Sequence, residues 1–151
     1  MTPAARAIRP QQPIEPFQSI GSHTFRLSLQ RLIMCSAASL DFAPSHIIAD
    51  AAREGGAPGA YADITFVFAM VEKLLVQWGG PSIRVRAIGP LEIKDFVLAG
   101  ADVITSGSVA EVRPVRHDGK SAWTEVIVSV SIRQSDGRVP VSGLARVDLP
   151  A

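Results

Sequence analysis

Asp41 and His46, with four residues between them, share the short proline-containing stretch LDFAPSHII, ahead of a long apolar segment that begins near Ile64. A carboxylate and an imidazole this close on one loop can hold a single water. The imidazole suits proton transfer, because an ordinary histidine pKa of ~6.5 keeps both forms available near neutrality. The carboxylate can accept the water's other hydrogen bond and orient it. The apolar segment supplies a second part. The N-terminus of a helix carries free N–H groups and the positive end of the helix dipole, so the start of this segment can meet a developing oxyanion. Asp63 is read as the N-cap of that helix, accepting from the N–H of Phe66 or Thr65 and leaving that of Ile64 free.

The remaining reactive side chains point to less. Ser45 lacks the surroundings of an activated nucleophile. Cys35 lies in an apolar helical stretch and reads as a small core residue. His23 and His117 read as strand and hairpin surface positions. Arg84 and Arg86 alternate with Ile83, Val85 and Ala87, the pattern of a strand's solvated face. With no cysteine pair and no His-Glu-x-x-His, a metal site is not expected. The GGAPG run follows a helix rather than a strand, so it is no dinucleotide loop.

These groups need a scaffold, and 151 residues suffice for one domain with its own core. Hydrophobic residues make up 47% and charged residues 19%, which excludes a disordered chain. A net charge of +1 gives no reason to invoke nucleic acid or an anionic membrane. A single cysteine permits no intrachain disulfide, which fits a cytoplasmic setting. Residues 1–17 have several prolines and no apolar run, so they are expected to form a flexible tail, not a secretory signal. Residues 18–151 are then one domain.

Along that domain, period-two alternation predicts a strand with Phe25, Leu27 and Leu29 on one side. A short helix follows over QRLIMCSAASL, then the Asp41–His46 loop, where Pro44 pushes Ala43 out of the helical region. A brief helix is expected over IIADAAREGG, ended by Gly55 and Gly56. From Ile64 to Gln77 the chain is apolar nearly all round, so a helix buried nearly all round is predicted, with Phe66, Phe68, Met70, Leu74 and Leu75 in the core. It stops at Trp78-Gly79-Gly80-Pro81. The second half reads as long strands: one broken at Gly89-Pro90, one over 102–115, and two more after hairpin signals at Asp118-Gly119 and Asp136-Gly137. Pro140 suggests an edge or a bulge in the last of them. The expected architecture is α+β, one long helix wrapped by a curved antiparallel sheet.

The order of these parts resembles the hotdog fold, and within it the MaoC-like (R)-specific enoyl-CoA hydratases and dehydratases. The resemblance rests on LDFAPSH, similar to the family's Asp-x4-His motif, on the apolar helix ending in QWGGP, and on FVLAGADVITSGSVAEV, similar to its Gly-Asp-then-strand segment. It covers roughly residues 22–149. It implies a hydro-lyase that adds or removes water across the 2,3 bond of an acyl thioester, with Asp41 and His46 catalytic and the Ile64 N–H as oxyanion donor. No cofactor is implied beyond the coenzyme A of the acyl-CoA substrate. Asp63 and Ile64 stand where the family carries His-Gly, and Ala101 separates Gly100 from Asp102. The QWGGPSIRVRAIG stretch resembles small subunits of heteromeric steroid side-chain hydratases. A homodimer, or a heteromer with a second MaoC-like chain, is therefore expected, and pairing would also cover a sheet edge. Two alternatives remain open at this point: a partner-dependent or non-catalytic acyl-CoA-binding subunit, and an acyl-CoA thioesterase.

Overall fold

The computed structural model describes residues 13–119 and 121–151. Of the expected tail, 1–12 lie outside the described residues. Farther along it, Ile14 packs against the core and the Phe17 N–H donates to the Val109 carbonyl at 2.7 Å.

The first strand, β1 (Ser19–Arg26), leads through Leu27 into α1 (Leu29–Ser39). Ser28 caps α1 with its side chain on the Arg31 N–H. The cap corrects the strand pattern: Phe25 and Leu27 turn inward, but Leu29 already belongs to the helix and is exposed. Two short helices follow, α2 (Pro44–Ile47) and α3 (Ala49–Glu54), and then the long helix α4 (Ile64–Gly79).

Helix α4 begins as the sequence implies. Asp63 is its N-cap, with a side-chain oxygen 2.6 Å from the Phe66 N–H. It ends where the chain must come close to the sheet. A Cβ on Gly79 would sit 2.5 Å from Ile83 Cδ1 and 2.8 Å from Leu149 Cδ2, so only glycine fits without a shift.

Burial of α4 differs from the expectation. Val67, Met70, Val71, Leu74 and Leu75 are buried, at the helical spacing of one face. Ile64 and Phe68, at the edge of that face, and Val76, away from it, are exposed, so Phe68 is not a core residue in this chain. The sheet covers α4 from one side only. An apolar run longer than one face needs has left some large apolar side chains uncovered.

The sheet contains β2 (Arg84–Ile93), β3 (Asp102–Val112), β4 (Arg116–Asp118), β5 (Ser121–Gln134) and β6 (Val141–Pro150). Its order is β1-β3-β5-β6-β2, with antiparallel neighbours, and β4 pairs with the start of β5. Val126, Val128, Val130 and Ile132 of β5 face inward with Val141, Ala145, Val147 and Leu149 of β6. Each fully buried aliphatic side chain contributes roughly 1.5–3 kcal/mol relative to exposure. Helix α4 packs against β1, β3 and β2.

Three strand expectations change. Gly89-Pro90 does not break its strand; β2 runs through it with a register shift between Ile88 and Leu91. The strand expected over 102–115 ends at Val112, and Arg116–Asp118 forms the separate β4. Pro140 lies just before β6, which is a central strand, because a proline there could not donate to the ladder. No helix among the described residues is long and apolar enough to cross a membrane.

Candidate active site

Helix α1 ends on Leu40, which adopts the left-handed conformation (φ 58°) and turns the chain sharply into Asp41. One Asp41 carboxylate oxygen, Oδ1, accepts from the Ala43 N–H at 3.2 Å, a local turn of the type aspartate favours. Ala43 is extended (ψ 124°), as the residue before proline must be, and Pro44 opens α2. His46 therefore sits on one turn of helix rather than in the open loop expected from the sequence. Proline's fixed φ and missing N–H suit that first helical position.

The imidazole is held from one side. His46 Nδ1 is 3.0 Å from the backbone carbonyl of Tyr61. A carbonyl can only accept, so Nδ1 carries the hydrogen and Nε2 keeps its lone pair in the neutral ring. The Tyr61 ring meets the imidazole edge-on, with centroids 4.9 Å apart and planes at 82°. Nε2 lies 3.8 Å from Asp41 Oδ2. That is too long for a direct hydrogen bond and suits a bridge. A water about 2.8 Å from both acceptors would subtend roughly 85°, near the angle between its two O–H bonds. The pair predicted from the sequence is thus brought together, at a spacing that suits one shared water.

A cavity of about 360 Å³ opens beside His46. Asp63 and Ile64 line it at the start of α4, and Ile93, Phe96, Val97 and Val141 add apolar wall. Asp41 is not part of the lining; its side chain is 41% exposed, against 13% for His46. Among the described residues nothing accepts from the Ile64 N–H, because the Asp63 cap is committed to Phe66. Asp63 itself is buried. Burial, then the neighbouring Asp63 carboxylate, push the Cys35 thiol above its ordinary pKa, so Cys35 is not an activated nucleophile. It is only partly buried, 4.0 Å from Asp63 Oδ1, and not the core residue expected.

Other candidates find structural partners. The Tyr61 hydroxyl lies 3.4 Å from Ser45 Oγ. The Arg84 guanidinium lies 3.7 Å over the Trp123 ring. Arg86 faces the buried Asp148, which also receives Arg116 at 2.8 Å. His23 stacks on Phe25, and His117 is exposed. Tyr61 escaped the sequence reading because its contribution is a main-chain carbonyl, which no side-chain pattern announces. The wall from Ile93 to Val97 escaped it too, being assembled from a loop next to a strand end.

No protein-family model matches this sequence, and comparison with curated proteins finds no match. Solved structures do match. A chain of the ChsH1–ChsH2 complex from Mycobacterium tuberculosis superposes with a TM-score of 0.76 at 21% identity, over 89% of this chain and 98% of that one. The (R)-hydratase from A. caviae involved in PHA biosynthesis gives 0.76 at 23% identity, over 92% and 99%. A MaoC-like dehydratase from Rhodospirillum rubrum gives 0.75 at 19% identity, over 91% and 93%. This chain has the hotdog fold. The long helix α4 on its antiparallel sheet is the arrangement it shares with these proteins.

Proposed function

We propose that the chain is a MaoC-like hydro-lyase, an enoyl-CoA hydratase or, in reverse, a 3-hydroxyacyl-CoA dehydratase. One observation carries this reading: His46 Nε2 and Asp41 Oδ2 are 3.8 Å apart, with Nδ1 already committed to the Tyr61 carbonyl. The fold shared with an (R)-hydratase and a MaoC-like dehydratase supports it. In the hydration direction the water's oxygen bonds to the β-carbon while Nε2 takes its proton. The thioester carbonyl becomes an enolate, met by the Ile64 N–H and the N-terminal end of α4. The imidazolium then returns the proton to the α-carbon, so one water has been added and His46 is neutral again. No metal or nicotinamide is required; coenzyme A enters as part of the substrate. The apolar wall of the cavity suits an acyl chain.

The test follows the loss of enoyl absorbance from crotonyl-CoA and a longer enoyl-CoA. His46→Ala and Asp41→Asn should each lower kcat on the order of 10²–10⁴-fold, the usual weight of acid–base catalysis. Folded single mutants within threefold of the parent would remove both residues from the mechanism. Thiol release from saturated acyl-CoA would instead mark a thioesterase.

A second reading has its own observation. Ile33, Met34, Phe42, Ile64 and Phe68 are all exposed, and the Asp41 side chain is 41% exposed. So many exposed large apolar side chains on α1, α4 and the loop between α1 and α2 favour cover by a second MaoC-like chain, identical or related. The ChsH1–ChsH2 complex matched above is named as an assembly of two chains. On this reading the chain is a partner-dependent subunit whose activity appears only on mixing. A protein that sediments as a monomer at micromolar concentration, yet hydrates at full rate, would rule this out.

A further inference from the structure

We propose that Gln134 is a positioning residue for His46, acting through the pocket wall; its catalytic consequence rests on the hydro-lyase reading, its structural consequence does not. Gln134 is the last residue of β5 and is 1% exposed. A fully buried glutamine must satisfy both ends of its amide within the protein. It does so on one short segment: Oε1 accepts from the Leu98 N–H at 2.9 Å, and Nε2 donates to the Phe96 carbonyl at 3.2 Å. The amide thus replaces a neighbouring strand for residues 96–98. One donor and one acceptor at this spacing are what a primary amide offers and what a carboxylate or an aliphatic chain does not.

The other edge of the same segment pairs with residues 60–62. The Ala62 N–H donates to the Val97 carbonyl at 2.9 Å, and the Ala99 N–H to the Ala60 carbonyl at 2.8 Å. Tyr61 and Leu98 bridge between them. Tyr61 is the residue whose carbonyl holds His46 Nδ1. The rings repeat the linkage, Phe96 on Tyr61 at 4.6 Å and Tyr61 on His46 at 4.9 Å. From the sheet core to the imidazole, each step is a hydrogen bond or a ring contact. If the Gln134 amide is removed, the segment that backs Tyr61 keeps the apolar packing of Val97 but loses both hydrogen bonds it receives from the Gln134 side chain.

The test compares the full chain with Gln134→Met, which has no polar end, and Gln134→Glu. A protonated carboxyl carries one donor and one acceptor, like the amide; an ionised one carries two acceptors and faces the Phe96 carbonyl. Burial and that carbonyl raise the introduced carboxyl's pKa. The glutamate variant is therefore intact at acidic pH and perturbed above the introduced pKa. The readout is nitrogen NMR of the three imidazoles, together with the pH profile of crotonyl-CoA hydration.

In the parent, neutral His46 is expected as the Nδ1–H tautomer. In Gln134→Met it should become a tautomer mixture while His23 and His117 keep their parent signals. In Gln134→Glu the His46 signals should show a second inflection, and kcat should gain a descending limb at the same pH. The fall in kcat is expected to be on the order of 10–10²-fold, the scale of an ångström-sized misplacement. If His46 keeps its tautomer in the folded variants and its signals show no added inflection in Gln134→Glu, the proposal is overturned. Should Gln134→Met not fold, the glutamate variant, folded at acidic pH, decides alone. If the parent fails to hydrate crotonyl-CoA, the function reading falls, yet the imidazole spectra still decide the role of Gln134.

Discussion

Replacing Asp63 with asparagine should raise the rate, although it removes a buried acidic group from the pocket. Asp63 Oδ1 caps the third N–H of α4 from 2.6 Å, while the first N–H, that of the cavity-lining Ile64, has no acceptor among the described residues. The backbone of a helix is a cylinder of ~2.3 Å radius, so an oxyanion on the first amide lies roughly 5 Å from the capping carboxylate. At an effective dielectric of about 20, two full charges at that distance repel by roughly 3 kcal/mol. If about half a charge develops on the thioester oxygen, the penalty is about 1.5 kcal/mol, or roughly tenfold in rate. Asparagine caps as well as aspartate, so the helix start survives, less the charge–dipole attraction of about 0.3–1 kcal/mol. The expected outcome is kcat for crotonyl-CoA hydration about tenfold higher, with a slightly lower melting temperature. Asp63→Ala is the control, because it removes charge and cap together and should cost about 1 kcal/mol of stability. A folded Asp63→Asn with kcat unchanged or reduced would show that the negative charge does not develop beside the Ile64 amide.

Two further outcomes follow from local chemistry. Leu40 holds φ 58° with a 78% exposed side chain, a conformation that costs an L-residue roughly 1–2 kcal/mol, so Leu40→Gly should stabilise by up to about 1 kcal/mol in denaturant unfolding despite glycine's unfolded-state entropy; a loss of stability would show that the exposed leucine has a packing partner. Asp95, through the Phe96 N–H and then Arg138, and Asp136, through the Arg138 N–H and then its guanidinium, are both held below the ordinary aspartate pKa. A depressed carboxylate pKa contributes stability that is present above the unfolded pKa of ~3.9 and is lost as pH falls through the folded value. Arg138→Ala should therefore lower the melting temperature at pH 7 and converge with the parent once both carboxyls are protonated; a difference that persists unchanged to pH 2 would refute this.

Much of the fold was legible in local sequence. The Asp118-Gly119 and Asp136-Gly137 turns and the Val126–Ile132 alternation announce a meander, because strand period and turn chemistry are properties of neighbours in the chain. The start and stop of α4 were equally plain, as an N-cap aspartate and paired glycines act over a few residues. The spacing of Asp41 and His46 was visible for the same reason: both groups belong to one short stretch of chain. The sequence could not say which face of α4 the sheet covers. A helix apolar on most sides satisfies burial in several orientations, and only the order of strands around it leaves Ile64, Phe68 and Val76 outside. Nor could it say what orients the imidazole. The Tyr61 carbonyl and the Gln134 amide are far apart in sequence, and they are linked to His46 only after β5, the 96–98 segment and the 60–62 segment have packed side by side. Local chemistry set the groups that can react. Long-range pairing set the 3.8 Å between Nε2 and the carboxylate, because the partner that turns the ring is fifteen residues away in sequence and adjacent only in the folded chain.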